Sequence, residues 1–258
     1  MLPWLPEHPI HFPPMSAALD DPDGLLAAGG ALDSGWLLAA YRRGIFPWYG
    51  DDQPILWWSP DPRMVLFPKE LKVRRSLAKR LRHAGFTITA NQAFDAVITA
   101  CAEPRAGQPG TWITDEMRVA YQRLHALGAA HSVEVWHGDK LVGGLYGVAL
   151  GPMFFGESMF TRVPDASKVA LVHLARAMAA GGGRLIDCQM HTDHLASLGA
   201  RNIARGTFIG YLEAWLGKPP PVEPDDLSFT PACWSFAVPG ELGEAVQSPR
   251  PRSRRETP

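Results

Sequence analysis

Two apolar segments that meet at a Gly-Pro turn restrict the fold of this 258-residue chain more than any other feature. They are LVGGLYGVAL (141–150) and PMFFGESMF (152–160), and short apolar segments bounded by turn residues are typical of strands. The uncharged stretch from Leu141 to Gly156 is shorter than the roughly 20 residues of a membrane span. Glycines and Pro152 also interrupt it, so the pattern predicts a hairpin within a sheet rather than a transmembrane helix.

Helical and strand patterns alternate around this hairpin. Apolar residues at helical spacing, with capping residues before and glycines after, predict helices over 33–43, 73–84, 92–102, 115–127 and 166–183, and another that begins within 192–200. Strands are predicted over 86–91, 131–136 and 184–190. Such an order predicts an α+β or mixed α/β layer fold, with a central, mostly antiparallel sheet flanked by helices.

Composition divides the chain into three parts. Residues 1–63 are rich in aromatic residues and proline and predict a small N-terminal domain. Residues 64–238 carry most of the helical and strand patterns and predict the larger domain. Residues 239–258 end in PRPRSRRETP and have no core-forming pattern, so we expect a disordered basic tail.

Charge and cysteine usage favour an ordinary cytoplasmic protein. The formal net charge of −1 indicates no global affinity for nucleic acid, so any RNA contact must come from a local patch. Cys101, Cys188 and Cys233 are odd in number and far apart, which predicts neither a disulfide framework nor a zinc site and fits a reducing compartment. The N-terminus lacks the pattern of a signal peptide. The HTDH segment (191–194) lacks a third ligand at a recognisable spacing and favours a helix start over a metal site.

Three polar side chains lie in otherwise apolar strands. Asp187 and Gln189 in LIDCQ are two positions apart, so they are expected on the same face of a strand. Glu157 lies between Gly156 and Ser158 in an aromatic, Met-rich segment, where a carboxylate needs a partner or a cationic ligand. These residues predict either a functional site or, as the plainer alternative, a hydrogen-bonded core pair and a partly exposed glutamate at a strand end. Four apolar residues of the same strands are candidates for a pocket, and equally for ordinary core: Leu145, Phe154, Met159 and Ile186.

A set of aromatic residues and a basic helix could bind a nucleic-acid end. The aromatic residues are Trp48, Tyr49, Trp57, Trp58 and Trp112, and the basic residues are Arg75, Lys79 and Arg82, which share one helical face. Bases stack on aromatic rings while Lys and Arg hold phosphates. The alternatives are that some of these tryptophans belong to the core and that the basic face is only solvated.

Ten ordered segments between about residues 12 and 208 resemble one family. They are GLLAAGGAL, LLAAYRRGIFPW, ILWWSPDPR, TWIT, AYQRLHALGAAHSVEVW, LVGGLYGV, FFGESMF, ASKVAL, LIDCQ and HLASLGA. The chain is similar in these segments to leucyl/phenylalanyl-tRNA–protein transferases. The resemblance implies a small N-terminal domain and a larger domain with the core of the GCN5-related acetyltransferase fold. It also implies that the enzyme uses neither acetyl-CoA nor another cofactor.

The resemblance further implies an activity. Members of the family transfer Leu, Phe and, less well, Met from aminoacyl-tRNA to proteins that begin with Arg or Lys, and the products are degraded through the N-degron pathway. We accordingly expect aminoacyl-tRNA and such proteins as partners, no membrane partner, and a monomer.

Residue by residue, the resemblance assigns roles to positions of this sequence. Trp48 and Trp112 would hold the terminal adenosine of the tRNA. Leu145, Phe154, Met159 and Ile186 would form the amino-acid pocket, and His173 would occupy a further pocket position that is often aromatic. Glu157, Asp187 and Gln189 would surround the reacting amine, with Asp187 orienting Gln189 and the Gln189 carbonyl accepting a hydrogen bond from the amine. Arg75, Lys79 and Arg82 would contact tRNA phosphates.

Two other classes remain as alternatives. An acetyl-CoA-dependent N-acetyltransferase would need a pyrophosphate-binding turn of the type Arg/Gln-x-x-Gly-x-Gly/Ala before a helix, which is not found near the hairpin. A non-catalytic tRNA-binding module would leave Glu157, Asp187 and Gln189 without a role.

Overall fold

The structure is a computed structural model that describes residues 1–104 and 111–221. Its strands are β1 (Trp4–Leu5), β2 (Leu25–Gly29), β3 (Phe46–Pro47), β4 (Leu56–Trp58), β5 (Arg63–Leu66), β6 (Phe86–Ala90), β7 (Ala130–His137), β8 (Lys140–Leu150), β9 (Met153–Thr161), β10 (Leu185–Gln189) and β11 (Arg201–Ile203). Its α-helices are α1 (Ser34–Arg42), α2 (Arg75–His83), α3 (Phe94–Ala102), α4 (Asp115–Ala126), α5 (Ala166–Ala180), α6 (Asp193–Ala196) and α7 (Arg205–Leu216).

The strands form two sheets. The small sheet has the order β1-β2-β4-β3, and the large sheet has the order β11-β5-β10-β9-β8-β7-β6. Every neighbouring pair in the large sheet is antiparallel except β9 and β10, which run parallel. Helices α3 and α4 pack with one part of the core and α2 and α5 with the other. The predicted α+β fold with a mostly antiparallel sheet flanked by helices is therefore confirmed.

Local sequence signals explain most of the elements. Asp33 caps α1 by accepting from the Trp36 backbone N–H, and Thr114 caps α4 by accepting from the Met117 backbone N–H. The β8–β9 hairpin turns at residues 151–152, as predicted. In α2 the apolar stripe is confirmed, with Leu77 buried, while Arg75, Lys79 and Arg82 are exposed on the remaining surface.

Other elements were not predicted from the sequence. The helix expected within 192–200 is a single turn, α6, and β11 and α7 follow it. Gly206 and Gly210 weaken the helical signal of α7, whose Phe208 and Leu212 nevertheless pack in the core. The GLLAAGG segment contains strand β2, which pairs with both β1 and β4.

The small sheet and one face of the large sheet share one of the two apolar core clusters. The small sheet ends at Trp58 and the next strand, from Arg63, already belongs to the large sheet. This change of sheet fits the domain boundary predicted near residue 63, which stays a prediction. The proposed tail 239–258, the end of the proposed second domain and Cys233 lie outside the described residues.

The large sheet opens where β9 and β10 separate. Their pairing runs from Met153–Leu185 to Phe155–Asp187 and then ends. On β9 the partners of Gly147 and Tyr146 are residues 156 and 158, so Glu157 is an extra residue that forms a bulge. On β10 the register shifts between Asp187 and Gln189, and Gln189 adopts a positive φ of 61°. Two neighbouring strands thus bend apart at the positions that carry the candidate polar residues.

Glycine is required beside this opening. A Cβ at Gly147 would lie 2.2 Å from the Phe155 carbonyl oxygen and 2.6 Å from the Phe154 ring. No side chain fits there without moving the backbone of β9, so the glycine lets β8 approach the bulge closely.

Candidate active site

A cavity of about 340 Å³ occupies the opening between β9 and β10. Its apolar wall contains all four predicted pocket residues together with two leucines of α5: Leu145, Phe154, Met159, Ile186, Leu171 and Leu174. Its polar wall contains the three predicted polar residues, Glu157, Asp187 and Gln189. Both predicted sets therefore line one cavity. The plainer alternative also holds in part, since Leu145, Phe154 and Ile186 pack in the core and Asp187 and Gln189 are hydrogen-bonded, so the roles of these residues stay a prediction.

The cavity reaches both faces of the sheet. Phe154 and Ile186 belong to the core cluster under α5, whereas Phe155 belongs to the cluster on the opposite face, with α1 and α4. Alternate strand residues point to opposite faces, so Asp187 and Ile186 reach the cavity from different sides. An apolar compartment on one face thus opens directly beside a polar group on the other.

Glu157 is held from two directions. Its Oε2 accepts a hydrogen bond from the Tyr121 hydroxyl at 2.7 Å, and its Oε1 accepts one from Gln189 Nε2 at 2.8 Å. The Tyr121 hydroxyl is also 2.5 Å from the hydroxyl of Tyr41. The side-chain nitrogen of Gln189 donates to Glu157. Within the part of the chain that the structure describes, the side-chain carbonyl oxygen of Gln189 has no hydrogen-bond partner.

Asp187 is neutralised by a buried arginine. Arg63 donates from Nε to Oδ1 at 2.8 Å and from Nη2 to Oδ2 at 2.6 Å, and both residues are almost completely buried. Asp187 Oδ1 also accepts from the backbone N–H of Gln189 at 2.9 Å. The Arg63 guanidinium lies 4.8 Å from the ring centroids of Phe46 and Phe208. Asp187 therefore fixes the backbone of Gln189 rather than its side chain.

Opposing effects act on the pKa of Glu157. Burial raises the pKa of Glu157 to about 7, with Asp187 adding to the rise, while the hydrogen bonds from Tyr121 and Gln189, together with the nearby Tyr41 hydroxyl, act against it. Burial also raises the pKa of Tyr41, Tyr121 and Tyr146 well above 10, so these hydroxyls stay protonated. Glu157 is thus a carboxyl group that can exchange a proton near neutral pH.

The residues that support this polar group were not among those predicted from the sequence. Arg63, Tyr41 and Tyr121 come from β5, α1 and α4, and the Arg63–Asp187 bonds join residues 124 positions apart. One signal existed, because Arg63 begins an apolar segment (MVLF) and a charge at the start of a buried strand requires a partner. The two tyrosines lie on apolar helix faces and carry no comparable signal.

The apolar wall differs from the sequence expectation at one position. His173 does not line the cavity, whereas Leu171 and Leu174 of the same helix do. The helical period places residues three apart on one face of α5, and residue 173 points elsewhere. Burial lowers the pKa of His173 to about 4, so it is neutral at pH 7. The expectation of a histidine in the pocket was therefore wrong.

The two tryptophans expected at the tRNA end lie in different surroundings. Trp112 lines the cavity. Trp48 does not line it; the residue is 39% exposed and its ring lies edge-on to Trp58 at 5.5 Å. Trp57 is completely buried against Trp36, so the alternative that one tryptophan belongs to the core is confirmed. Tyr49 is also buried.

The described residues contain no group of three or more His, Cys, Asp and Glu that could hold a metal ion. His191 and Asp193 approach to 3.5 Å at the surface, and His194 lines the cavity. Within residues 1–104 and 111–221, no helix combines the length and apolarity that a membrane crossing needs.

Comparison with known proteins gives the site its context. The family described as "Leucyl/phenylalanyl-tRNA protein transferase" matches residues 65–213, and the family of the N-terminal domain of the same enzyme matches residues 30–61. Among curated proteins, the "Leucyl/phenylalanyl-tRNA--protein transferase" of Chromohalobacter salexigens is 69% identical over 219 residues, which is 85% of this chain and 86% of that protein. Those of Chromobacterium violaceum and Azoarcus sp. are 59% and 56% identical, and cover 86% and 94% of this chain and 94% and 99% of their own.

Solved structures resemble the chain more distantly. A GCN5-related N-acetyltransferase from Kribbella flavida is 14% identical, with a TM-score of 0.35 over 66% of this chain and 61% of its own.

These matches, together with an apolar cavity beside a polar group, define the protein as an aminoacyltransferase. The chain belongs to the leucyl/phenylalanyl-tRNA–protein transferase family.

Proposed function

We propose that the protein transfers Leu or Phe, and less readily Met, from aminoacyl-tRNA to the N-terminal Arg or Lys of acceptor proteins. The acquired residue marks the acceptor for degradation by the N-degron pathway, and the enzyme acts in the cytoplasm as a monomer. One observation carries the proposal: the apolar cavity opens directly beside Glu157 and Gln189.

The apolar wall of the cavity suits the side chain of the donor amino acid. Leu145, Phe154, Leu171 and Ile186 offer hydrocarbon surface and no fixed charge. Such a wall rejects polar amino acids strongly, but it separates similar apolar ones by only about 1–3 kcal/mol per methylene. Transfer of Met beside Leu and Phe follows from this limit.

The polar wall suits the attacking amine. An aminoacyl ester is already activated, so the enzyme needs to align the amine with the ester carbonyl and to remove a proton. The neutral amine nitrogen forms the new amide bond and gives up one proton, the ester bond to the ribose breaks, and the ribose oxygen leaves with that same proton, handed on by the group that accepted it. The Gln189 carbonyl accepts a hydrogen bond from the amine, and Glu157, with a pKa raised by burial to about 7, serves as the proton acceptor. Asp187, paired with Arg63, holds the Gln189 backbone.

The Glu157 carboxylate favours an acceptor protein whose N-terminal residue is positively charged. An N-terminal Arg or Lys brings positive charge to a wall whose other carboxylate, Asp187, is already neutralised by Arg63. A charge-assisted hydrogen bond to a buried carboxylate is stronger than a neutral one. Glu157 therefore contributes both to acceptor binding and to proton removal.

The tRNA is bound outside the cavity. Trp112, at the cavity wall, and Trp48, partly exposed, stack against the terminal adenosine. The exposed residues Arg75, Lys79 and Arg82 of α2 contact phosphates of the tRNA. Phosphate contacts carry no sequence information, so we expect little of the tRNA sequence to be read.

The test is transfer of radiolabelled Leu from tRNA to a peptide that begins with Arg. The same peptide with an acetylated N-terminus is the matched control, because it keeps the cation but has no free amine. We expect label in the first peptide only, and loss of transfer with retained aminoacyl-tRNA binding in Asp187→Asn and Glu157→Gln. Equal turnover of these variants and the wild type would remove both residues from the mechanism.

A second experiment distinguishes aminoacyl transfer from acetyl transfer. Acetyl-CoA should show no binding heat in calorimetry and should give no acetylated peptide. Tight acetyl-CoA binding together with no transfer from Leu-tRNA would overturn the proposal.

A further inference from the structure

Two buried tyrosines form a hydrogen-bonded chain that ends on Glu157. The Tyr121 hydroxyl donates to Glu157 Oε2 at 2.7 Å, and the Tyr41 hydroxyl lies 2.5 Å from that of Tyr121. Both tyrosines are completely buried. Because Tyr121 has one proton and gives it to Glu157, the hydrogen between the two hydroxyls must come from Tyr41.

We propose that Tyr121 is a positioning residue that holds Glu157 in its ionised, proton-accepting form, and that Tyr41 reinforces this bond from the N-terminal part of the chain. The inference rests on the proposed role of Glu157 in transfer and extends it to two residues that do not line the cavity.

The geometry leaves Glu157 one orientation. Tyr121 and Gln189 bind different oxygens of the carboxylate, so rotation of the group would break both bonds. The bulge on β9 brings Glu157 between these two donors. A hydrogen bond from a neutral hydroxyl stabilises the carboxylate relative to the protonated acid. Tyr41 strengthens the effect, because a hydroxyl that accepts a hydrogen bond becomes a better donor.

Within residues 1–104 and 111–221, the titratable groups that act on Glu157 come from several elements, and His194 of α6 lines the same cavity. On the side of α4 and α1 lie Tyr121 and Tyr41, on β8 lies Tyr146, and on β10 lies Asp187 with its partner Arg63 from β5. The tyrosines remain neutral because burial raises their pKa well above 10. Asp187 is the other carboxyl near Glu157, and its charge opposes ionisation of Glu157. The hydroxyl chain and Gln189 are therefore what favours the carboxylate.

The proposal predicts a change that a purely structural role would not produce. Removal of the Tyr121 hydroxyl should raise the pKa of Glu157 by about one unit, since a hydrogen bond to a charged group is of that size. Removal of the Tyr41 hydroxyl should raise it by less, because Tyr121 keeps its bond to Glu157. Transfer activity of Tyr121→Phe should then fall about tenfold at a pH below the wild-type midpoint and recover at higher pH.

The experiment follows the Glu157 carboxyl directly. The full chain is labelled with ¹³C at the glutamate carboxyls, and the Glu157 resonance is identified by its loss in Glu157→Gln. Its titration midpoint is then compared in wild type, Tyr121→Phe, Tyr41→Phe and the matched control Tyr211→Phe. Tyr211 stacks on Trp215 of α7 and does not line the cavity. We expect an upward shift in the first two variants and none in the control.

The outcomes separate the two proposals. An unchanged midpoint in Tyr121→Phe, or in Tyr41→Phe if the former does not fold, would overturn the positioning role whatever the activity of the variant. A loss of activity that is the same at every pH would also overturn it. If instead the midpoint shifts as expected but Glu157→Gln retains full transfer, the positioning role stands and the proposed part of Glu157 in transfer fails.

Discussion

The guanidinium of Arg63 and the carboxylate of Asp187 form two parallel hydrogen bonds, at 2.8 and 2.6 Å, in a position closed to solvent. This pair joins β5 to β10 at the strand end that carries Gln189. The charge of Asp187 is thus used to anchor the site.

Replacing Arg63 by Met should therefore destabilise the fold. The change leaves Asp187 buried without its counter-charge, and we expect a loss of roughly 3–5 kcal/mol in the free energy of unfolding, measured by urea denaturation. Arg118→Met is the matched control, because its ion pair with Asp115 lies at the surface, and it should cost less than about 1 kcal/mol. Similar small losses in both variants would show that Asp187 does not depend on Arg63.

The free energy of unfolding should depend on pH because of Glu157. The pKa of Glu157 is raised by burial from 4.5 to about 7, so the folded state binds the extra proton and this group's contribution to stability falls as pH rises through that interval. The full effect is up to about 3 kcal/mol. His131 and His173, whose pKa values burial lowers to about 4, act in the opposite direction over part of the same range.

The difference between Glu157→Gln and wild type isolates the effect. Urea denaturation of both proteins at several values of pH should show the variant gaining stability relative to wild type between about pH 4.5 and 7, because only wild type loses the Glu157 contribution. A constant difference across this range would mean that the Glu157 pKa is not raised.

The apolar wall should set the size of the donor side chain. Leu145→Phe adds a ring to the cavity, so kcat/KM with Phe-tRNA should fall relative to Leu-tRNA by about tenfold or more. Val142→Ile is the control, because Val142 lies on the same strand and in the same core but does not line the cavity. An unchanged Phe/Leu ratio in Leu145→Phe would place the donor side chain elsewhere.

The basic face of α2 should determine the salt dependence of tRNA binding. Replacing Arg75, Lys79 and Arg82 by Gln should raise the Kd for tRNA and flatten the plot of log K against log salt by about two to three units of slope. The control replaces three exposed basic residues outside α2, namely Lys140, Arg184 and Lys218. Equal slopes for both triple variants would indicate that α2 is only a solvated face.

Trp112 should contribute to the binding of aminoacyl-tRNA because it lines the cavity. Loss of one stacking platform costs about 1–3 kcal/mol, so Trp112→Ala should raise KM for aminoacyl-tRNA roughly 5- to 150-fold. Trp4→Ala removes a ring that is 71% exposed at the N-terminus and should leave KM unchanged. An effect of the same size in both variants would argue against a specific adenosine contact.

Local patterns in the sequence predicted most of the helices, the central hairpin and the candidate residues, but not β2, β11 or α7. The β8–β9 hairpin, the cap of α4 and the exposed basic face of α2 follow from turn residues, capping and helical spacing. Glu157, Asp187 and Gln189 were candidates because polar groups in apolar strands need partners. All these signals act between residues close in the chain.

The partners of those polar groups were decided only by the tertiary structure. Arg63 reaches Asp187 across 124 positions and Tyr41 reaches Tyr121 across 80, and no local periodicity encodes such pairs. The bulge at Glu157 and the positive φ of Gln189 likewise depend on how β8, β9 and β10 pack. The physical reason is that a buried charge requires a partner but its own segment does not specify which one, so packing of distant segments makes the choice.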